Sequence, residues 1–155
     1  MVRVIEIEKS ELSKIVFDIY NEDLNDIKKI HKLKVEESLN DIEKLVYYVS
    51  NTMSSISDEE LIFKLDLDGE AIGFFTLSNV SPHEVTQLNG FHISKNHRTK
   101  EALKCLWDGI EKNAKKNIIC GLYEENKDAI NHLKKNGFEE QEYMFFDEYD
   151  KNFLI

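Results

Sequence analysis

The N-terminal part of the chain changes from an alternating segment to apolar positions spaced as on helices. Residues 2–7 alternate apolar and polar side chains, which is typical of a half-buried strand. Ser10 is a suitable N-cap, and the apolar residues that follow it at intervals of three and four predict a first helix. A second helical pattern covers positions 24–33. A third begins at Ser38, which has the spacing of a capping box with Asp41.

The centre of the chain predicts three consecutive strands. Positions 61–67 alternate strictly: Leu and Phe residues occupy one side of the predicted strand, and the other side carries Lys64 and Asp66. Asp68-Gly69 is a hairpin signal because Gly tolerates a positive φ, and positions 71–78 form the return strand. Positions 85–94 predict a further strand, in which Gly90 predicts a bulge.

The C-terminal third alternates helices and strands. The predicted elements are a helix from about position 99, a strand over 117–123, a helix over 126–136 ended by Gly137, and aromatic-rich strands over 138–146 and 152–155. The strand over 117–123 shows little alternation, which favours burial on both faces. Trp107 lies on the apolar face of the helix before that strand, where it predicts a core residue.

This order of elements predicts an α/β fold with a mixed, mostly antiparallel sheet of six to seven strands and helices on both faces. The hairpins require antiparallel pairs, whereas the strand–helix–strand unit over 85–123 predicts one parallel pair with a right-handed crossover. The chain has one Pro and six Gly and no linker-like segment, so residues 1–155 are predicted to form a single domain.

The composition indicates a globular protein, since 41% of the 155 residues are hydrophobic and 32% are charged. No apolar run approaches the roughly 20 residues of a membrane span, and the N-terminus lacks the apolar segment of a signal peptide. Cys105 and Cys120 are too few for a disulfide framework and lack the spacing of a zinc site. We therefore expect buried free thiols, no metal, no membrane association and a cytoplasmic location.

The net charge of −10 argues against general binding of nucleic acid. The charge is uneven, because seven Lys or Arg residues and three Asp or Glu residues lie between positions 95 and 116. This stretch carries +4 and leaves −14 on the rest of the chain. A basic stretch on an acidic body favours either a small anionic ligand at this place or a solvated helix face.

Two sequence blocks contain the residues suited to chemistry. The first block, residues 126–138, reads NKDAINHLKKNGF and fits the pattern N-x-x-A-I-x-x-Y-x-x-x-G-F except at Leu133. The second block, residues 91–100, precedes it in the chain and reads as a strand that runs into a polar loop before a helix. In this order, after the Asp-Gly hairpin, the blocks resemble the GNAT superfamily of acyl-CoA-dependent N-acyltransferases. The resemblance covers positions 61–146 and implies a GNAT-like fold for the domain.

The resemblance implies acetyl-CoA as the acyl donor, with its pyrophosphate at the N-terminus of the helix near position 99. The family pattern is Q/R-x-x-G-x-G/A, and here Glu101 and Leu103 replace both glycines. Leu103 restricts approach to the backbone, and the Glu101 carboxylate can occupy the dipole site itself. The cofactor-binding residues that the resemblance implies are Ile93, Arg98, Thr99, Lys100, Glu101, Ala102, Leu103, Lys104 and Asn126.

The family chemistry also needs a general acid and a general base. A Tyr often stands at the position of Leu133 and protonates the departing thiolate, which Leu cannot do. Tyr123, at the end of the preceding strand, is the candidate acid in its place. His92, His97 and Glu84 are candidate bases, and of these we assign His92, on the strand of the second block, to the predicted catalytic site.

Two functions follow from the resemblance. One is transfer of an acetyl group from acetyl-CoA to a primary amine, for which the acidic body favours a small cationic amine or a protein Lys. The alternative is a catalytically inactive GNAT-like domain that binds a protein partner or forms part of an assembly, for example a viral one. The aromatic residues Phe145, Phe146 and Phe153 near the C-terminus, with Leu154, either permit a homo-oligomer or complete the core.

Overall fold

The computed structural model describes residues 1–30, 39–80, 85–115, 117–123, 126–139, 144–146 and 152–154. The helices are α1 (Lys9–Glu22), α2 (Leu24–Ile30), α3 (Asp41–Ser54), α4 (Lys100–Asn113) and α5 (Lys127–Lys135), and a 3-10 turn (Lys95–His97) precedes α4. The strands are β1 (Val2–Glu6), β2 (Leu61–Leu67), β3 (Glu70–Val80), β4 (Val85–Ile93), β5 (Asn117–Cys120), β6 (Leu122–Tyr123), β7 (Met144–Phe146) and β8 (Asn152–Leu154). Within these ranges no helix is both long and apolar enough to cross a membrane.

The main sheet has five strands in the order β1-β2-β3-β4-β5. The first four strands are antiparallel to their neighbours, and β5 runs parallel to β4. The predicted α/β class with a mostly antiparallel, mixed sheet is therefore confirmed, but the predicted six to seven strands are wrong. The remaining described strands form a separate three-stranded sheet in the order β6-β8-β7.

The strand predicted over 117–123 is divided at Gly121, and this division separates the two sheets. Strand β5 pairs with β4 only as far as the pair Leu88 and Cys120, and β6 then pairs with β8 instead. Because β5 lies at an edge of the sheet, Ile119 is 41% exposed, and the predicted burial on both faces is wrong. An apolar run alone does not distinguish a central strand from an edge strand.

Helices cover both faces of the main sheet, as predicted. The neighbouring residues Phe74 and Phe75 of β3 belong to different hydrophobic clusters because successive strand residues point to opposite faces. The first cluster joins the sheet to α1 and α3, and the second joins it to α4 and includes Leu133 of α5. Trp107 is only 7% exposed and belongs to the second cluster, which confirms it as a core residue.

The predicted turn and bulge of the central strands are both present. Asp68 and Gly69 have φ angles of 51° and 95°, the left-handed backbone of a tight hairpin. The β3–β4 register shifts between Thr76, which pairs with Gly90, and Leu77, which pairs with Leu88. Asn89 is thus the extra residue of a bulge next to Gly90, at the point beyond which β4 and β5 are no longer paired.

The predicted helix starts need two corrections. Helix α1 begins at Lys9, with Glu8 at the N-cap and no side-chain capping bond, so Ser10 lies inside the first turn. Ser38 lies outside the described residues, and the Asn40 side chain caps α3 by accepting a hydrogen bond from the backbone of Glu43. Both cases reflect the limited power of sequence to place a helix start among several capping residues.

The aromatic strand predicted over 138–146 falls partly on described residues. Phe138 follows α5 without strand geometry and packs against the second cluster, and β7 covers Met144–Phe146. Residues 140–143 lie outside the described residues. Phe145 pairs with Phe153 across β7 and β8, so these aromatic positions share the smaller sheet.

Cys105 and Cys120 are free thiols, as predicted, but each is only partly buried. Burial raises the pKa of both thiols, that of Cys120 to about 12. The thiolate is the reactive form of cysteine, so neither side chain is activated as a nucleophile. Cys105 instead donates a hydrogen bond of 3.6 Å to the carbonyl of Val2 and thereby helps to fix α4 to β1.

Gly109 sets how closely α4 approaches the sheet. A Cβ at this position would lie 2.8 Å from Cγ2 of Val4 and 3.2 Å from the ring of Phe75. We expect Gly109→Ala to lower the free energy of unfolding by about 1–3 kcal/mol, because overpacking outweighs the gain of roughly 1 kcal/mol in helix propensity. Urea denaturation measures the change, and Glu111→Ala on the exposed face of the same helix is the control. An unchanged or higher stability of Gly109→Ala would contradict this packing.

Candidate functional site

A cleft of about 570 Å³ opens beside the segment of β4 that β5 does not cover. Its walls come from the end of β4, the start of α4 and the length of α5. The sequence-predicted residues that line it are His92, Ile93, Arg98, Leu103 and Asn126. The two sequence blocks therefore meet in one place, because the chain leaves β4 after Cys120 and α5 follows on the other side of the opening.

The N-terminus of α4 retains free backbone donors. Thr99 is the N-cap, and its hydroxyl accepts a hydrogen bond of 3.1 Å from the backbone N–H of Ala102. The Leu103 N–H bonds to the carbonyl of Thr99. The first N–H groups of a helix have no partner within it, so those of Lys100 and Glu101 remain for solvent or a ligand.

The Glu101 carboxylate lies in the first turn of α4. Its Oε1 accepts a hydrogen bond of 2.9 Å from the backbone N–H of Val2, the first residue of β1. That Glu101 occupies the dipole site stays a prediction. Of the two residues that replace the family glycines, only Leu103 lines the cleft.

The remaining residues predicted to bind the cofactor are not among those that line the cleft; they are Thr99, Lys100, Ala102 and Lys104. Ala102 is fully buried in the second cluster, and Lys100 is exposed. Lys104 is exposed and forms an i,i+4 ion pair of 2.6 Å with Asp108. The hydroxyl of Thr99 is engaged in capping. A contact between any of these residues and a cofactor stays a prediction.

Cationic side chains line the cleft on two elements. Arg98 donates from Nε to the carbonyl of Ile93 at 2.9 Å, which fixes the guanidinium stem and leaves its terminal nitrogens as donors. Lys127 and Lys135 line the cleft from α5, with Asn131 between them. Sequence reasoning missed these two lysines, although their spacing of eight residues on one helix places them on a common face.

Asn126 occupies the N-cap position of α5 without capping it through its side chain. The backbone carbonyl of Asn126 accepts from Ile130, but no side-chain capping bond is present. The side chain lines the cleft. Among the described residues the Asn126 amide thus makes no capping bond, and its contact with a cofactor stays a prediction.

His92 is held by a buried carboxylate. Nε2 of His92 lies 2.7 Å from Oδ2 of Asp23, and the same oxygen accepts a hydrogen bond of 3.0 Å from the backbone N–H of Lys95. The Asp23 side chain is only 2% exposed. Since an ionised carboxylate only accepts hydrogen bonds, Nε2 carries a proton, and the lone pair of a neutral His92 lies on Nδ1.

Asp23 remains ionised although it is buried. Burial by itself raises the pKa of this carboxyl, but the hydrogen bonds from His92 and the Lys95 N–H, together with the charges of His92 and Arg98, hold its pKa below the usual value. The result is a carboxylate–imidazole pair at one end of the cleft. Such a pair both orients an imidazole and stabilises its protonated form.

Sequence reasoning missed Asp23 because 69 residues separate it from His92. Asp23 lies between α1 and α2, where its carbonyl accepts from Asp26 and Ile27. The ring of Tyr20, on the preceding turn of α1, meets the ring of His92 edge to face at 5.8 Å. The only signal in the sequence was a polar residue at the boundary of two helical patterns, which identifies no partner.

The remaining predicted catalytic residues have different surroundings. His97 lies in the 3-10 turn, and its buried Nδ1 has no hydrogen-bond partner among the described residues. Tyr123 lies on β6 opposite Phe153, and its role as general acid stays a prediction. Glu84 lies outside the described residues. His92 is the predicted base that lines the cleft.

A second histidine, His132, lines the cleft from α5. The indole N–H of Trp107 donates to its Nε2 at 2.6 Å. An indole N–H is a donor only, so Nε2 of His132 is unprotonated and the imidazole carries its proton on Nδ1. Burial, followed by the charges of Lys135 and Arg98, lowers the pKa of His132, which agrees with a neutral ring.

The lowered pKa of His132 predicts a pH dependence of stability. The unfolded chain takes up a proton at His132 near pH 6.5, whereas the folded chain does so only at lower pH. The stabilisation is therefore complete above pH 6.5 and is lost as the pH falls through the folded pKa. We expect this increment to disappear in His132→Gln, compared with wild type by urea denaturation between pH 7.5 and 5. An NMR titration that places His132 at or above 6.5 would contradict the assignment.

No protein-family profile and no curated protein sequence matches this chain. Solved structures do. The GNAT domain of S. lividans PAT is 12% identical with a TM-score of 0.66 and matches over 99% of this chain and 88% of its own. Mycobacterium smegmatis RimJ in complex with CoA-disulfide is 16% identical with a TM-score of 0.68, over 99% and 79%. PaiA N-acetyltransferase from Thermoplasma acidophilum in complex with coenzyme A is 12% identical with a TM-score of 0.65, over 99% and 97%.

The likeness extends over nearly the whole chain at low sequence identity. Identities of 12% to 16% are evidence for the fold rather than for a shared reaction. The architecture expected from the resemblance of residues 61–146 is confirmed. The chain has the fold of the GNAT acetyltransferases.

Proposed function

We propose that this chain is an N-acetyltransferase that moves an acetyl group from acetyl-CoA to a primary amine. The observation that carries the proposal is the content of the cleft, where an imidazole backed by the Asp23 carboxylate shares one opening with Arg98, Lys127 and Lys135. The pair of His92 and Asp23 is suited to remove a proton from an amine, and the three cations are suited to bind a phosphorylated acetyl donor. Two neighbours of the same fold were solved with coenzyme A or its disulfide.

The side chains of the cleft provide for the donor without a glycine cradle. Arg98, Lys127 and Lys135 would hold the phosphate groups, and the free N–H groups at the start of α4 would add backbone donors. The Asn126 amide would bind the amide-containing arm of the cofactor. Flexible lysines hold a phosphate less rigidly than a backbone cradle, so we expect weaker binding than a glycine loop provides.

His92 would act as the general base. Its Nδ1 would take one proton from the acceptor ammonium and release it to solvent. The amine nitrogen would then form a bond to the thioester carbonyl carbon as the carbon–sulfur bond breaks, and Nδ1 would take the second proton that this nitrogen loses as the amide forms. The electron pair of that bond leaves on sulfur as the CoA thiolate. Asp23 would act as a positioning residue that keeps the His92 proton on Nε2 and stabilises the imidazolium.

The acceptor is proposed to be a cationic amine. The body of the protein is strongly acidic, and Asp26 lines the same cleft as His92. A negative surface raises the local concentration of a polyamine, an aminoglycoside or a Lys-rich protein segment. A protein amine is a natural member of this series, because one neighbour of the fold is a ribosomal L7/L12 alpha-N-protein acetyltransferase.

Donor binding is testable by thermal stability. Acetyl-CoA at about a hundred times its Kd stabilises the folded state by about 2.7 kcal/mol, which corresponds to a rise in Tm of several degrees. We expect Arg98→Ala to abolish most of this rise at the same concentration. Lys112→Ala, an exposed charge change on α4 away from the cleft, is the control. No rise for wild type at millimolar acetyl-CoA would contradict the enzyme and favour the inactive binding domain.

The catalytic pair is testable by substitution. We expect His92→Gln and Asp23→Asn to lower kcat on the order of a hundredfold, with little change in the acetyl-CoA-dependent rise in Tm, because neither residue is assigned to donor binding. Thiol release from acetyl-CoA with a panel of amines measures the rate. Asp18→Asn, an exposed change on α1, is the control. Full activity in Asp23→Asn would contradict the positioning role.

Asp23→Asn also has a consequence for stability that does not depend on activity. The depressed pKa of Asp23 stabilises the fold above the unfolded Asp pKa of about 3.9, and this contribution is lost as the pH falls through the lower folded pKa. We expect the free energy of unfolding of Asp23→Asn to lack this loss between about pH 5 and pH 3. A difference between wild type and variant that stays constant over this range would contradict the ionised carboxylate.

A further inference from the structure

We propose that His132 stabilises the departing CoA thiolate by a hydrogen bond from Nδ1–H of a neutral imidazole. This inference rests on the proposed function and replaces the tyrosine that the chain lacks at Leu133. It assigns a role to a residue that the sequence pattern leaves variable. The geometry that carries it is the hydrogen bond from Trp107 to His132, since His132 lines the same cleft as His92.

The hydrogen bond from Trp107 determines which nitrogen of His132 is free. Nε2 is occupied as an acceptor at 2.6 Å, so the ring proton lies on Nδ1. No described residue accepts a hydrogen bond from Nδ1. The positive charges of Lys135 on α5 and Arg98 on the loop disfavour a second proton on the His132 ring. Asp128, on the same helix, is the acidic lining residue nearest to His132 in the sequence.

The indole that holds His132 is itself fixed. The ring of Trp107 packs against Phe91 at 6.0 Å and against Phe138 at 5.6 Å, and its centroid lies 5.4 Å from that of His132. The His132 backbone carbonyl also accepts from the Asn136 side chain at 2.9 Å. A donor that is positioned before the reaction loses little free energy when charge develops on its partner.

The position of Leu133 explains why a tyrosine would not serve at that site in this chain. Leu133 is only 6% exposed and belongs to the second hydrophobic cluster, whereas the preceding residue, His132, lines the cleft. Neighbouring helix residues point about 100° apart, so only one of the two faces the opening. The polar function has thus moved by one position along α5.

A neutral imidazole acts here as a hydrogen-bond donor and not as an acid. Nδ1 of His92 takes a proton from the ammonium and releases it to solvent. The nitrogen–carbon bond then forms, the carbon–sulfur pair goes to sulfur, and Nδ1 of His92 takes the second proton that the nitrogen loses. His132 keeps its proton and shares it with the thiolate. Because a thiol has a pKa of about 8.5, the thiolate leaves as such and takes a proton from solvent afterwards. A neutral histidine that polarises a substrate in this way is known chemistry.

Two variants of His132 separate the donor from its structural role. In His132→Gln the amide oxygen can reach the Trp107 N–H, but no donor remains at the Nδ1 position. In His132→Asn the amide nitrogen occupies the Nδ1 position, but the bond to Trp107 is lost. We expect kcat to fall on the order of a hundredfold in His132→Gln and to be partly restored in His132→Asn, although the latter is less stable.

The acetyl-CoA KM and the donor-dependent rise in Tm are the readouts that a purely structural role would move. In His132→Gln we expect the acetyl-CoA KM to stay within about threefold of wild type and the donor-dependent rise in Tm to be similar to that of wild type. The reason is that the hydrogen bond from His132 to sulfur strengthens only as negative charge develops on the sulfur. Tyr123→Phe is the matched comparison, because Tyr123 is the competing candidate. Loss of kcat in Tyr123→Phe with full kcat in His132→Gln would overturn the inference and leave the proposed function intact.

Two further outcomes complete the test. Equal losses of kcat in His132→Gln and His132→Asn, with a rise in KM, would show a structural role and overturn the inference. Absence of turnover by wild type with every amine would overturn both proposals. Independently of activity, ¹⁵N NMR of the free protein should show His132 protonated on Nδ1 at pH 7.5, and protonation on Nε2 would also overturn the inference.

Discussion

The structure of the site depends on the end of pairing between β4 and β5. After Leu88 and Cys120 the chain turns away at Gly121, joins a second sheet and leaves the last residues of β4 exposed on one side. Unpaired strand backbone inside a protein must find other hydrogen bonds or line a ligand cavity. The bulge at Asn89 lies at the same point and changes the direction of β4 where the cleft begins.

The two walls of this opening differ in chemistry because they come from different elements. The β4 wall carries His92, which the α1–α2 junction fixes through Asp23. The α5 wall carries lysines and His132, which α4 fixes through Trp107. Each histidine therefore has Nε2 bound to a buried partner, and among the described residues neither Nδ1 has one. A carboxylate partner fixes the proton on Nε2 of one, and an indole partner fixes it on Nδ1 of the other.

The segment that begins α4 makes a contact that the sequence pattern does not predict. Glu101, in the first turn of α4, binds the Val2 N–H of β1 and thereby helps to fix α4 to the sheet. Positive charge in the cleft comes instead from Arg98 and from a face of α5. Two lysines of a separate helix, Lys127 and Lys135, thus line the cleft of a chain that lacks the glycines of the family pattern.

The sequence by itself determined most of the order of the elements, the Asp68-Gly69 hairpin and the bulge near Gly90. These features depend on local geometry, namely alternation, helical spacing and the backbone freedom of glycine. The two blocks came from a resemblance to family patterns, and that they meet at one cleft is seen only in the structure. The tertiary structure alone decided that the strand over 117–123 divides between two sheets. An apolar run is equally compatible with a central strand, an edge strand and a strand that changes sheets.

The tertiary structure also decided the partners of the site residues. Asp23 and His92 are 69 residues apart, and Trp107 and His132 are 25 apart, so no local pattern links either pair. Which nitrogen of each histidine carries its proton follows from these contacts and from nothing in the neighbouring sequence. Sequence supplies the types of side chain, whereas burial and long-range hydrogen bonds determine their protonation, because both depend on what the folded chain brings within about 3 Å.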